Sequence, residues 1–145
     1  MILEPKQRLQ SPTSQMLKAG ILTGFSDLAY AALRISLAFL YFSFGVQKFF
    51  GALGGTVVPL WSQLGAAAVL ELVLGPLIAI GFLTPWAAFI AGGEMAFAYF
   101  IGHGSRGGLP VQNGGTLAAA FCFAFLYMAT RGGGRYSVDN LFRGK

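Results

Sequence analysis

Four ionisable residues stand within long apolar runs: Arg34, Lys48, Glu71 and Glu94. A charged side chain inside a bilayer is costly unless it is paired or hydrated. Their chemistry is therefore ion pairing, proton handling or recognition of a polar head group. At about 100° per residue, Arg34, Ala38, Tyr41, Gly45 and Lys48 fall on one helical stripe. Ile35, Phe39, Phe42, Val46 and Phe49 fall on a neighbouring apolar face. The first stripe is expected to face other helices and the second to face lipid. Glu71 lies between Ala67 and Gly75 at four-residue spacings, where small residues let another helix approach. Pro76 cannot donate to the carbonyl of Leu72, which adds a polar notch beside the carboxyl.

Helical rise places Lys48 about 3 Å, and Glu71 and Glu94 about 10–12 Å, from the same end of their helices. Lys48 can therefore reach toward Glu71, either as a buried pair that fixes helix register or as part of a ligand or proton site. Glu94 has no basic residue near its depth. It is expected to be protonated, to face water or to meet a partner chain. Arg34 is expected to snorkel to the head groups. His103 borders an apolar run and can relay protons, although a loop histidine more often has no such task. The candidate ligand-binding or proton-handling residues are thus Lys48, Glu71, Glu94, Gln47, Tyr41 and His103, with no catalytic residue and no metal ligand among them.

The elements that position these residues follow from composition. The chain has 145 residues, of which 55% are hydrophobic and 10% charged. Soluble domains carry about 25% charged residues, so this surface cannot be that of a soluble globule. The apolar runs 28–50, 64–83, 85–102 and 113–130 predict an all-α, polytopic membrane protein, a four-transmembrane-helix bundle. Residues 1–27 read as an N-terminal tail, with a short interfacial helix over 15–25, and residues 131–145 as a C-terminal tail. Thr84 is the expected N-cap of the third helix, with Pro85 in its first turn. Residues 51–63 and 103–112 are expected to be loops, and Ser137 to cap a short surface helix.

Basic residues set the orientation. Lys6, Arg8, Lys18, Arg131, Arg135, Arg143 and Lys145 lie in the two tails, whereas Arg106 is the one basic residue within the loops of the opposite side. Both termini are therefore expected to be cytoplasmic, in a bacterial-type inner membrane. The net charge of +5 reads as topology and contact with anionic lipid, not as nucleic-acid binding. Cys122 is the sole cysteine and His103 the sole histidine. That excludes an intrachain disulfide, bis-histidine haem and paired di-iron motifs. No cofactor is required, although quinone or lipid could occupy an aromatic cleft. In the third helix, Ala88-x-x-x-Gly92-x-x-x-Ala96 is a small-residue pattern suited to helix packing or a partner interface. The glycine face is expected to point outward and Glu94 inward.

Arg34, Phe44-Gly45-Val46-Gln47-Lys48-Phe49-Phe50-Gly51, Glu71-Leu72-Val73-Leu74-Gly75, Gly81-Phe82-Leu83-Thr84, Asn113-Gly114-Gly115 and Gly134-Arg135-Tyr136-Ser137-Val138-Asp139 follow one another in order. Over residues 28–141 this order resembles the DoxX family of small four-helix membrane proteins. The resemblance implies a membrane redox setting, associated with quinol oxidation and thiosulfate–quinone oxidoreduction. It points to a non-catalytic accessory subunit of a larger electron-transfer complex. Two alternatives remain beside it, a quinone- or lipid-binding component and a small oligomeric transporter.

Overall fold

The computed structural model describes residues 23–143. Of the interfacial helix expected over 15–25, residues 15–22 lie outside the described residues with most of the N-terminal tail, and Thr23–Phe25 form a 3-10 turn that leads into α1. Among the described residues the chain is all-helical. The helices are α1 (Ser26–Phe50), α2 (Gln63–Ile80), α3 (Thr84–Gly102), α4 (Pro110–Asn113), α5 (Thr116–Arg131) and α6 (Val138–Arg143). Two of them, α1 and α2, are long and apolar enough to cross a membrane; α5 is a shorter apolar helix. Large apolar side chains such as Phe39, Val73, Phe89 and Phe123 lie exposed along the outer faces. Such a surface is unsuited to water.

Local chemistry sets the helix ends. In α1, Asp27 stands in the first turn and Lys48 in the last, each complementing the helix dipole. Gly51 closes α1 in a left-handed conformation, with its N–H on the Gln47 carbonyl. The Ser62 hydroxyl accepts from the Gly65 N–H at 3.1 Å and caps α2. At the other end of α2, Gly81 adopts φ 73° and donates to Ile78, while Phe82 donates to Leu77. These paired bonds form a Schellman ending.

The expected Thr84 cap is corrected. Thr84 is the first residue of α3, and its hydroxyl has no partner. The cap comes from the distant tail instead, because the Asp139 carboxylate accepts from Leu83 N–H at 2.8 Å and Thr84 N–H at 2.9 Å. Ser137 does cap α6, accepting from the Asn140 N–H at 3.2 Å. The Gly-rich stretch 103–112 is more ordered than a loop: it holds a 3-10 turn, Gly104–Arg106, and the start of α4.

The helices pack chiefly as two pairs, α1 with α2 and α3 with α5. Glycine permits the first approach. A methyl group on Gly45 would stand 2.9 Å from the Glu71 Cβ, and one on Gly75 would stand 2.8 Å from the Phe42 Cβ. Rings join the pairs: Tyr41 meets Phe125 at 5.1 Å between centroids, and Phe44 meets Phe121 at 6.3 Å. The stripe Arg34, Ala38, Tyr41 and Gly45 is buried, while Ile35 and Phe39 are exposed. The period read from the sequence thus holds on the buried stripe, whereas on the apolar face Phe42 and Val46 are half-buried and Phe42 packs against Gly75 of α2.

Candidate functional site

Two acids enter the bundle from the helices that face α1. The Lys48 ammonium meets the Glu71 Oε1 at 2.5 Å. Glu71 is 1% exposed, and its Oε2 has no hydrogen-bond partner. One turn of geometry explains the contact: Gly45 lets α2 approach, and Lys48 follows Gly45 by three residues on the same stripe. Tyr41, wholly buried, donates from its hydroxyl to the Glu94 Oε2 at 3.1 Å. A single stripe of α1 therefore presents a cation to one acid and a phenol to the other.

Space adjoins this cluster on two sides. A groove between α2 and α3 holds about 370 Å³, walled by Gln63, Ala66, Ala67, Leu70, Ile90, Glu94 and Phe97. It continues into a cleft of about 320 Å³ that shares Gln63, Ala67, Glu94 and Phe97 and adds Lys48, Ile101 and His103. A third cleft, of about 260 Å³, lies against α5 and is lined by Phe44, Lys48, Glu71, Met95, His103 and Phe121 among others. Lys48 and His103 border both of the latter spaces. His103 also closes α3, and its Nδ1 lies 3.1 Å from the Asn113 carbonyl oxygen.

Five of the six candidates therefore converge: Tyr41, Lys48, Glu71, Glu94 and His103. Gln47 does not join them. Its side-chain amide donates to the Leu53 carbonyl at 3.0 Å and pins the loop after α1. Gln63, at the first position of α2, enters the groove without having been singled out from sequence. Asn113 was also missed as a structural node. It is buried, accepts from Gly115 N–H at 2.8 Å, and donates to the Gly107 carbonyl at 3.0 Å and the Tyr99 hydroxyl at 3.2 Å. A lone buried asparagine before two glycines was its signal.

Arg34 requires a correction. It is 1% exposed and does not snorkel. One guanidinium nitrogen donates to the carbonyls of Ile78 and Ala79, each at 2.5 Å, and the other donates to Tyr136 at 2.6 Å. The last carbonyls of α2 carry partial negative charge and Ile78 has only the Gly81 N–H at its end, so an arginine adds donors there. The third bond ties in the tail, where Gly81 and Gly133 each leave room for Ser137.

The small-residue face of α3 is corrected as well. Ala88 and Gly92 are buried, and a methyl on Gly92 would meet the Cys122 carbonyl oxygen and Leu126 at 3.4 Å. Ala96 lines a small cleft with Cys122 and Phe123. This face packs on α5 of the same chain, where its small residues let the Cys122 backbone and the Leu126 side chain approach. The outward-facing expectation fails for that reason.

With this geometry in place, three comparisons bear on identity. A family model described as DoxX matches residues 29–104. An uncharacterized protein of Haemophilus influenzae is 38% identical over 119 residues, spanning 77% of this chain and 89% of its own length. No solved structure matches. The family match covers Arg34, Lys48, Glu71, Glu94 and His103, and stops before the tail, which holds Asp139 and the Tyr136 carbonyl that Arg34 engages.

Proposed function

The chain belongs to the DoxX family, and from that premise we propose an accessory component of a membrane electron-transfer complex that contributes a head-group cleft and has no chemistry of its own. It crosses the inner membrane four times with both termini cytoplasmic. Supporting this topology, Trp61 and Trp86 are strongly exposed near the starts of α2 and α3, hence at opposite ends of the bundle. Tryptophan favours the membrane interface. The single observation that carries the functional reading is the meeting of Lys48, Glu94 and His103 on one apolar cleft. Intramembrane ionisable groups are expensive, and a cleft that exposes them suits the polar head of a quinone or lipid.

Two measurements test it. Purification in mild detergent, with mass spectrometry of protein and lipid, should find a larger membrane subunit and a bound quinone or lipid. A lone monomer carrying neither overturns the reading. For topology, cysteines introduced at Ser14 and Ser137 should label from one side of sealed vesicles and one at Ser105 from the other. Labelling of all three from one side refutes the four-span arrangement.

A further inference from the structure

The groove between α2 and α3 has one acid too many. Lys48 is committed to Glu71, and among the described residues no cation pairs with Glu94. The Tyr41 hydroxyl supplies one neutral bond to Glu94 Oε2, while Oε1 takes no hydrogen bond from the described residues inside a mostly apolar groove. A second acceptor is idle next door: Glu71 lines the cleft against α5, is 1% exposed, and has an unpartnered Oε2. His103 adds a third. With Nδ1 on a carbonyl oxygen, the neutral ring must carry its proton there and present Nε2 as an acceptor. The donors on these walls are Lys48, which spends one N–H on Glu71 and keeps two, and the Gln63 amide. A buried carboxylate needs a counter-ion or donors to offset desolvation.

We propose that this groove binds an amphiphile with a primary or secondary ammonium head, for which Glu94 is the counter-ion. The assignment rests on the head-group cleft proposed above and names the chemistry of its ligand. The ammonium would offer N–H donors to Glu94 and the imidazole, and Phe97 also lines the cleft, where an aromatic ring favours a nearby cation. Leu70, Ile90 and Ile101 wall the space for a hydrocarbon body. A head that only accepts, such as a quinone carbonyl, could take donors from Lys48 or Gln63 but would leave Glu94 without one.

The test uses the full chain in phosphatidylcholine nanodiscs, whose quaternary head groups lack N–H donors. Radiolabelled dodecylammonium is titrated, and dodecyltrimethylammonium, dodecanol and decylubiquinone compete. Dodecylammonium should bind at least tenfold more tightly than each competitor. E94Q should abolish that preference, and A67F, which fills the groove wall while keeping Glu94, should weaken binding at least tenfold. Equal binding of dodecyltrimethylammonium, dodecanol or decylubiquinone overturns the ammonium assignment and leaves the head-group cleft standing. Wild-type binding by A67F removes the ligand from this groove and overturns it too. If no amphiphile binds, the cleft reading falls along with it. A free amine and an amine-headed lipid are told apart by repeating the titration with phosphatidylethanolamine in the disc: competition by the lipid identifies it as a ligand, and no competition confines the site to single-chain amines.

Discussion

Replacing Arg34 with Met should loosen the whole tail end of the molecule. Methionine keeps much of the volume and removes three donated bonds, to Ile78, Ala79 and Tyr136. A hydrogen bond involving a charged group contributes about 1.5–3 kcal/mol net. Three at the low end give roughly 4–5 kcal/mol, as an upper figure, because the Ile78 carbonyl keeps the Gly81 N–H and Tyr136 is exposed. For a chain of this size each kcal/mol is worth about 2–4 °C in Tm, so a fall of up to roughly 10–15 °C is expected in detergent. The loss should have a local signature, because one bond belongs to the tail. Trypsin should cut after Arg135 faster in R34M than in the wild type at a temperature where both remain folded. R34K should fall between, since an ammonium cannot fork across three carbonyls as a planar guanidinium does. G81A attacks the same joint: its new methyl would meet Ser137 and stand 2.9 Å from the Arg34 Nη1, at φ 73°. R34M and G81A should therefore combine less than additively. A Tm within 2 °C of wild type for R34M, as a rough threshold, together with unchanged proteolysis, refutes the clamp.

Three other substitutions probe the remaining joints. Truncating one partner of the Lys48–Glu71 pair strands the other charge, so K48M and E71Q should each cost about 3–5 kcal/mol, and the double variant less than their sum; strict additivity in thermal denaturation removes the pairing. D139A should cost about 1–2 kcal/mol as a lost α3 cap, and D139N about half of that because one amide oxygen remains; equal Tm values for both variants and wild type count against the cap. G92L should destabilise by about 1–3 kcal/mol through overpacking against Cys122 and Leu126, whereas G93L, with nothing within 4 Å of its added carbon, should be close to neutral; the reverse order would turn α3 around.

The sequence carried the parts of the fold that depend on periodicity. The buried stripe of α1 and the reach of Lys48 to Glu71 follow from 100° spacing and helical rise, about 1.5 Å per residue, which hold for any straight helix. Contacts between residues a hundred positions apart had no such signal. Nothing near Arg34 announces the carbonyl of Tyr136, and nothing near Thr84 announces Asp139. A buried arginine and a lipid-facing one look alike until the helix end opposite is known. The glycine face of α3 was misplaced for a related reason: small residues specify close approach, not which helix approaches.

The two ends of the bundle treat polar groups in opposite ways. At the tail end, glycines bring backbone into contact, Arg34 takes three carbonyls, and Asp139 takes two N–H groups. These joints tie α1, α2 and α3 to the tail. At the Lys48 end, α2 and α3 stand apart around a groove, and Glu94 and Glu71 each keep an oxygen without a hydrogen bond. An unfilled polar site costs stability, so a small protein can keep one only if its stability is secured elsewhere. The tail end supplies that security, which predicts a division of labour between substitutions. R34M should lower thermal stability while leaving the selectivity among bound amphiphiles unchanged in the folded fraction. E94Q should alter selectivity with little change in Tm, since its neutral amide removes the excess acid and still accepts from Tyr41. Loss of selectivity in R34M at a temperature where the protein is folded would show that the two ends are coupled, and the separation argued here would fail.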